Sequence, residues 1–230
     1  RLISETRDLY EGPIMYGANF DQFEQVGFWN ALDGIAVSSY FPLSLWNPDL
    51  YAGVESAPTM WSDAPLLKSK DRASRFDQMV EGWNSAVSAM ERVSESTGLG
   101  LPVYLIELGW TRHAGSTVRP WSYGSVDVLE TVGVVGEGES QPLTPVSWGT
   151  QDYDLTERID AMRALVSVVE SGSFPSLRGF NLWKITTRDY HWDIEPFAVL
   201  LPTGGPDTRD IPEDRALLRD AVYLRQLLSR

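Results

Sequence analysis

The chain has 230 residues, of which 43% are hydrophobic, so it is long enough for one large domain or two small ones and can bury a core. Its formal net charge of −13 argues against nucleic-acid binding and against attraction to anionic membrane surfaces. With no cysteine and two histidines, thiolate metal sites are excluded and a histidine site is improbable. No apolar run approaches the roughly 20 residues of a membrane span, and neither a signal peptide nor a cofactor motif is evident.

The chain opens with a predicted helix over residues 2–10, which Gly12 and Pro13 terminate. This helix has no N-cap of its own, and the first residue is Arg1 rather than a methionine. We therefore expect the chain to be the continuation of a longer polypeptide.

Two predicted strands follow, over residues 14–19 and 34–43, with a short helix at 21–32 between them. The first strand ends at the polar Asn19. A long connection at 44–70 comes next, and connections of this length in compact domains are usually functional or disordered.

Residues 71–97 have apolar side chains at helical spacing, and Gly98 supplies a C-terminal stop. A third strand over 103–110 is followed by a second long connection, 111–150, in which residues 126–135 could form a hairpin.

Asp154 and Glu157 have the spacing of a capping box and predict the start of another helix. A fourth strand is predicted over 179–186, followed by a loop through His191. The last helix is expected to begin near residue 210, with Asp210 and Glu213 as caps and Pro212 in its first turn; its core face carries Leu217, Leu218, Ala221, Leu224, Leu227 and Leu228.

Glu107 is the single charge in the apolar run VYLIELGW, residues 103–110. Burying a carboxylate costs several kcal/mol unless it is paired or used. Glu107 is therefore either a satisfied structural charge or a reactive group, and the strand alone does not decide between them.

The order of elements, with amphipathic helices alternating with apolar strands, predicts a parallel sheet covered by helices. The connections after two of the strands are long, whereas those before strands, at 98–102 and 171–178, are short. Long loops after the strands are typical of a (β/α)8 barrel, whose active site lies at the C-terminal ends of the strands. A doubly wound sheet is the alternative, although the chain lacks a glycine-rich phosphate loop.

Four segments resemble, in order, the last four strands of the β-mannanase-type barrels among the clan-A glycoside hydrolases: YEGPIMYGAN, FWNALDGIAVSSYFPL, LPVYLIELGW with Pro120-Trp121 downstream, and GFNLWKI. The resemblance covers nearly the whole chain. It implies a single domain over 1–230, namely a half barrel formed by the last four β/α units of a (β/α)8 TIM barrel.

The resemblance also implies a retaining glycosidase in which Glu107 is the nucleophile. It further implies that Asn19, Tyr40 and Trp183 contact the substrate, with Tyr40 bonding to the nucleophile or the sugar and Trp183 forming a sugar platform. Trp110 is a candidate subsite wall. The alternatives are core packing for Tyr40 and Trp183, a strand-end turn for Asn19, and loop packing for Trp110.

The family's acid/base glutamate would lie on the fourth barrel strand, which this chain does not include. We therefore expect the barrel to be completed by an upstream half barrel, a second copy or a larger complex. The resemblance also implies a polysaccharide or oligosaccharide substrate. The other hypothesis is a non-catalytic subunit that kept the scaffold and binds partners. The implied substrate class favours an extracytoplasmic setting.

Overall fold

The computed structural model describes residues 1–44, 72–113, 115–118, 120–121, 154–202 and 209–230. The predicted hairpin at 126–135 and most of the two long connections lie outside these residues. Within the described ranges, no helix is both long and apolar enough to cross a membrane.

The chain forms six strands and five α-helices in the described residues. The strands are β1 (Met15–Asn19), β2 (Gly34–Ser38), β3 (Val103–Leu108), β4 (Leu177–Leu182), β5 (Ile185–Thr186) and β6 (Val199–Leu200). The helices are α1 (Leu2–Arg7), α2 (Arg72–Ser96), α3 (Leu155–Glu170), α4 (Asp189–Ile194) and α5 (Pro212–Leu227).

Strands β1 to β4 form one parallel sheet in the order β1-β2-β3-β4. A doubly wound sheet reverses its strand order at a switch point, whereas a barrel adds each strand beside the previous one. The sequential order is therefore that of a barrel segment.

One face of this sheet packs against α2, α3 and α5. Its side chains Ile35, Val37, Val103, Leu105 and Leu108 are fully buried in the main hydrophobic core. The same core contains residues of all three helices: Met79, Trp83, Met90, Met162, Leu165, Ala221 and Leu224. The other face, here called the inner face, corresponds to the barrel interior.

The predicted helix at 21–32 is wrong, because two short 3-10 turns, Phe23–Gln25 and Trp29–Ala31, occupy the segment. Val26 is extended between them, with φ −75° and ψ 109°. The Trp29 indole N–H donates to the Phe23 carbonyl oxygen at 2.9 Å, so a side chain satisfies an acceptor that a helix would have used internally.

Three predicted strands are too long. The one predicted at 103–110 ends at Leu108. β2 ends at Ser38, after which Leu43 and Ser44 donate their backbone N–H groups to the Thr117 carbonyl oxygen of the β3–α3 connection. The strand predicted at 179–186 divides into β4 and β5, and β5 pairs with β6 in a separate sheet. The loop predicted around His191 contains α4.

The predicted capping box before α3 forms only in part. The Asp154 carboxylate accepts from the Thr156 N–H at 3.1 Å, as an N-cap does. Glu157 is instead 1% exposed and accepts from the N–H groups of Gly115 and Thr117 at 2.7 and 2.9 Å. Burial raises the pKa of this carboxyl group, while the Arg75 guanidinium and the Thr117 hydrogen bonds oppose the shift.

The predicted side-chain caps of α5 do not form. Ile211 occupies the N-cap position, Pro212 is at the helix start, and Asp210 pairs with Arg215 at 3.0 Å. Asp214, the residue after the predicted cap Glu213, is fully buried and ion-paired with Arg158 of α3. Asp214 also accepts from the Trp192 indole N–H at 2.9 Å and from the Leu200 N–H at 2.6 Å.

Candidate active site

Three polar residues lie in one row at the C-terminal end of the sheet. Asn19 pairs in register with Ser38, and Ser38 pairs with Glu107. Residues in register on parallel strands share a face, and neighbouring strands are about 4.8 Å apart, so the backbones of Asn19 and Glu107 are separated by about 10 Å. The sequence-predicted Asn19 and Glu107 thus face the same space.

Glu107 is partly exposed on this row. Among the described residues, none forms a hydrogen bond or ion pair with its carboxylate. Its backbone is fixed, since the Glu107 carbonyl oxygen accepts from the N–H and the hydroxyl of Ser39 at 2.7 and 2.6 Å. The arrangement combines a held backbone with a partly exposed carboxylate.

Tyr40 lies two residues beyond Ser38, at the same end of the sheet, and is partly buried. Its ring meets Phe197 edge-on, with 5.9 Å between the ring centroids. Phe197 belongs to the segment between α4 and β6, so this contact crosses the end of β3. Tyr40 therefore stands at the rim of the row that holds Glu107.

Trp183 immediately follows β4 and is 38% exposed. Its backbone N–H donates to the Leu108 carbonyl oxygen at 2.8 Å, which fixes it beside the end of β3. The Lys184 ammonium lies 5.9 Å from the Trp183 ring centroid and pairs with Glu195 at 2.8 Å. The peptide bond between Trp183 and Lys184 is cis.

Trp110 is placed in the hydrophobic core and not on the inner face. It is 2% exposed, and its ring meets Trp83 of α2 edge-on at 6.3 Å between centroids. In this position its ring has no open face against which a sugar could stack. The structure thus brings Asn19, Tyr40, Glu107 and Trp183 to one end of the sheet and leaves Trp110 apart.

Sequence reasoning did not assign a role to two serines of this end of the sheet. Ser38 lies between Asn19 and Glu107, and Ser39 holds the Glu107 backbone. No count along the sequence places Ser38 beside Glu107, because the register between β2 and β3 shifts by one residue after the pair Val37 and Leu105. No sequence signal distinguishes Ser39, because its function depends on pairing between strands that are 68 residues apart.

Arg112 and His113, which follow the site in the chain, are both 2% exposed, although loop residues are usually solvated. The Arg112 guanidinium donates to the carbonyl oxygens of Trp192, Asp193 and Glu195. Those carbonyls end α4, so Arg112 joins the segment after β3 to the segment after β4. In the described part of the chain, no cluster of three or more His, Asp or Glu residues could hold a metal ion.

The sequence profile of glycoside hydrolase family 113 matches residues 1–133, more than half of the chain. The chain belongs to glycoside hydrolase family 113. Solved structures from the same family share its fold. One β-1,4-mannanase of family 113 has a TM-score of 0.50 at 16% identity, over 99% of this chain and 49% of its own.

The family 113 β-mannanase of Alicyclobacillus acidocaldarius in complex with ManMIm has a TM-score of 0.53 at 17% identity, over 96% of this chain and 49% of its own. The chain therefore spans about half the length of these barrels. Their fold and the sequential sheet confirm the predicted partial (β/α)8 barrel. No curated protein matches the chain.

Proposed function

We propose that this family 113 chain is the C-terminal half of a retaining glycoside hydrolase that cleaves β-linked mannose-type polysaccharide. In this proposal Glu107 is the nucleophile that attacks the anomeric carbon and forms a covalent glycosyl ester. The observation that supports it best is the row of Asn19, Ser38 and Glu107 at the C-terminal end of a parallel sheet, where barrel enzymes hold their catalytic groups.

A retaining mechanism needs a second carboxyl group about 5 to 5.5 Å from the nucleophile. This group protonates the leaving oxygen and later removes a proton from the attacking water. Glu107 is the sole carboxylate in its row, so the acid/base must come from another part of the barrel. We place it on an N-terminal half that completes the barrel.

The neighbouring side chains have complementary roles in the proposal. The exposed ring of Trp183 offers an apolar surface for one sugar face, and the Asn19 amide can donate to or accept from sugar hydroxyl groups. Tyr40 contacts the sugar or the nucleophile from the rim. Trp110 supports the site indirectly by packing against Trp83.

The proposal is tested by release of reducing sugar from β-mannan by the protein at its full native length. Glu107→Gln keeps the shape of the side chain but removes the nucleophile, and we expect it to lower kcat by more than about 10³-fold. The matched control is Glu95→Gln, at an exposed position on α2, which should leave the rate unchanged.

A protein with no mannan hydrolysis, or equal rates for wild type and Glu107→Gln, would contradict the catalytic proposal. The non-catalytic alternative would then be favoured if the protein still co-purifies in a stable complex. Retention of activity by Glu107→Gln would also remove Glu107 from the mechanism.

A further inference from the structure

β3 contains one more residue than its neighbours at the level of the candidate site. Against β2, Leu105 pairs with Val37 and Glu107 pairs with Ser38, so two steps along β3 match one step along β2. Against β4, Leu105 pairs with Phe180 and Leu108 with Leu182, so three steps match two. The pairing of β3 with β2 and its pairing with β4 therefore both show a β-bulge at Ile106 and Glu107.

The bulge determines which face Glu107 occupies. Successive side chains of a regular strand alternate between faces, and Leu105 points to the helix-covered face, where it is fully buried. Without the extra residue, Glu107 would point to that same apolar face. With it, Glu107 comes into register with Ser38, and Leu108 takes the buried outward position instead.

Ile106 supports this interpretation. A Cβ atom added at Gly17 would lie 2.8 Å from the Cδ1 atom of Ile106, so the Ile106 side chain lies over Gly17 of β1. Gly17 pairs in register with Ala36, and Ala36 with Tyr104, which places Gly17 on the inner face. The side chains of Ile106 and Glu107 thus both point to the inner face. Because Gly17 has no side chain, there is room for Ile106 above it.

Ser39 closes the bulge. It is 2% exposed, and it donates both its backbone N–H, at 2.7 Å, and its hydroxyl, at 2.6 Å, to the carbonyl oxygen of Glu107. A carbonyl oxygen has two lone pairs, so Ser39 occupies both acceptor positions of the Glu107 peptide group. The Glu107 backbone is therefore held in the shifted register from the neighbouring strand.

We propose that the β-bulge at Ile106 and Glu107, held by the double hydrogen bond from Ser39, aims the Glu107 carboxylate into the site, and that Ser39 is a positioning residue for catalysis. The inference rests on the proposed function of Glu107. Ser39 itself contacts neither substrate nor reacting atoms, and it acts through the backbone of the nucleophile.

The test compares three variants of the protein at its full native length. Ser39→Ala removes the hydroxyl donor and keeps the N–H, whereas Ser39→Thr keeps both donors. Ser44→Ala is the matched control, because Ser44 is 1% exposed and its hydroxyl bonds to that of Thr117 at 2.7 Å, away from Glu107. The readouts are kcat and KM for an activated aryl β-mannoside, and thermal stability.

We expect Ser39→Ala to lower kcat by about 10- to 100-fold with little change in KM, because displacement of a nucleophile slows the chemical step more than binding. Ser39→Thr should restore at least part of the lost kcat. Ser44→Ala should lose comparable thermal stability while kcat stays within about twofold of wild type.

If Glu107→Gln abolishes activity but Ser39→Ala retains wild-type kcat, the positioning role is wrong and the proposed function stands. If wild type shows no Glu107-dependent activity, the proposed function fails, and the bulge is then tested by the 13C chemical shift of the Glu107 carboxyl carbon. A shift that changes in Ser39→Ala and not in Ser44→Ala supports positioning, and an unchanged shift overturns it.

Discussion

At the scale of single residues, the site depends on how closely two strand ends approach each other. Gly109 follows Glu107 by two residues, and a Cβ atom at this position would overlap the carbonyl oxygen of Trp183. The end of β3 and the end of β4 can be this close only because position 109 lacks a side chain. The spacing between Glu107 and Trp183 therefore depends on a glycine.

We predict that Gly109→Ala destabilises the protein by about 1–3 kcal/mol, because the backbone must move to accept the methyl group. Gly27→Ala is the control: Gly27 is exposed, and an added Cβ there meets nothing within 4 Å. The free energy of unfolding is measured for both by urea denaturation. Equal stability of the two variants would show that the close approach at Gly109 is absent.

A second residue-scale prediction concerns Asp33. Hydrogen bonds from the Ile14 N–H at 2.7 Å and the Arg7 guanidinium at 2.8 Å lower the pKa of its carboxyl group from the ordinary 3.8. Because the folded-state pKa is depressed, the stabilisation is present above the ordinary pKa and is lost as pH falls through the folded value.

Asp33→Asn should therefore be less stable than wild type near pH 6, and the difference should narrow as the pH falls below about 4. The measurement is urea unfolding as a function of pH. Asp77→Asn, an exposed aspartate of α2 with no ion-pair partner among the described residues, should show no such convergence. Parallel pH profiles for wild type and Asp33→Asn would contradict the prediction.

At the scale of elements, the helices behind the site are joined by buried charges. Arg158 of α3 and Asp214 of α5 form an ion pair that is fully buried on both sides. Asp214 also accepts from Trp192 of α4 and from Leu200 of β6, so one carboxylate connects four elements. Breaking a buried pair leaves an uncompensated charge, which is more costly than losing the pair as a whole.

We predict that Asp214→Ala destabilises the protein by about 3–5 kcal/mol. The matched control is Asp220→Ala, because Asp220 is also on α5 and pairs with an arginine of α3, Arg163, at 2.9 Å, but on the surface. Asp220→Ala should lower the free energy of unfolding by about 0–1 kcal/mol. The free energy of unfolding is measured for both variants by denaturant unfolding. If both lose a similar amount, burial does not determine how much an ion pair between α3 and α5 stabilises the protein.

The helices α2, α3 and α5 and the four parallel strands could be predicted because their apolar spacing is regular and their ends have turn residues. The bulge in β3 could not, because Leu105, Ile106 and Leu108 are all apolar and fit either face. Trp110 was expected to line the site. An aromatic residue that follows a strand can pack in the core or line a sugar subsite, and the sequence pattern is the same in both cases. The role of Ser39 depends on a register that only the folded sheet defines.

At the scale of the whole molecule, the sheet is open. β1 and β4 each have a single strand neighbour among the described residues, and β1 exposes Met15 and Tyr16 at 44% and 46%. Unpaired strand edges and exposed apolar faces favour association. Together with the half-length match to barrels of the family, this leads us to expect that a partner half covers the sheet.

We predict that the 230-residue chain on its own does not remain a monomer of 25.7 kDa. Light scattering coupled to gel filtration should give a larger mass, because a second copy of the chain pairs with the open edges. A single species of 25.7 kDa at all concentrations would contradict this expectation.

In the proposed mechanism, Glu107 forms a covalent bond to the sugar. The most direct measurement uses a 2-fluoro β-mannoside with a dinitrophenolate leaving group, which departs without protonation, so that glycosylation does not depend on the acid/base half. After incubation and digestion, mass spectrometry should find one fluoromannosyl group on the peptide containing Glu107, and none in Glu107→Gln. Labelling at another residue, or equal labelling of both proteins, would show that Glu107 is not the nucleophile.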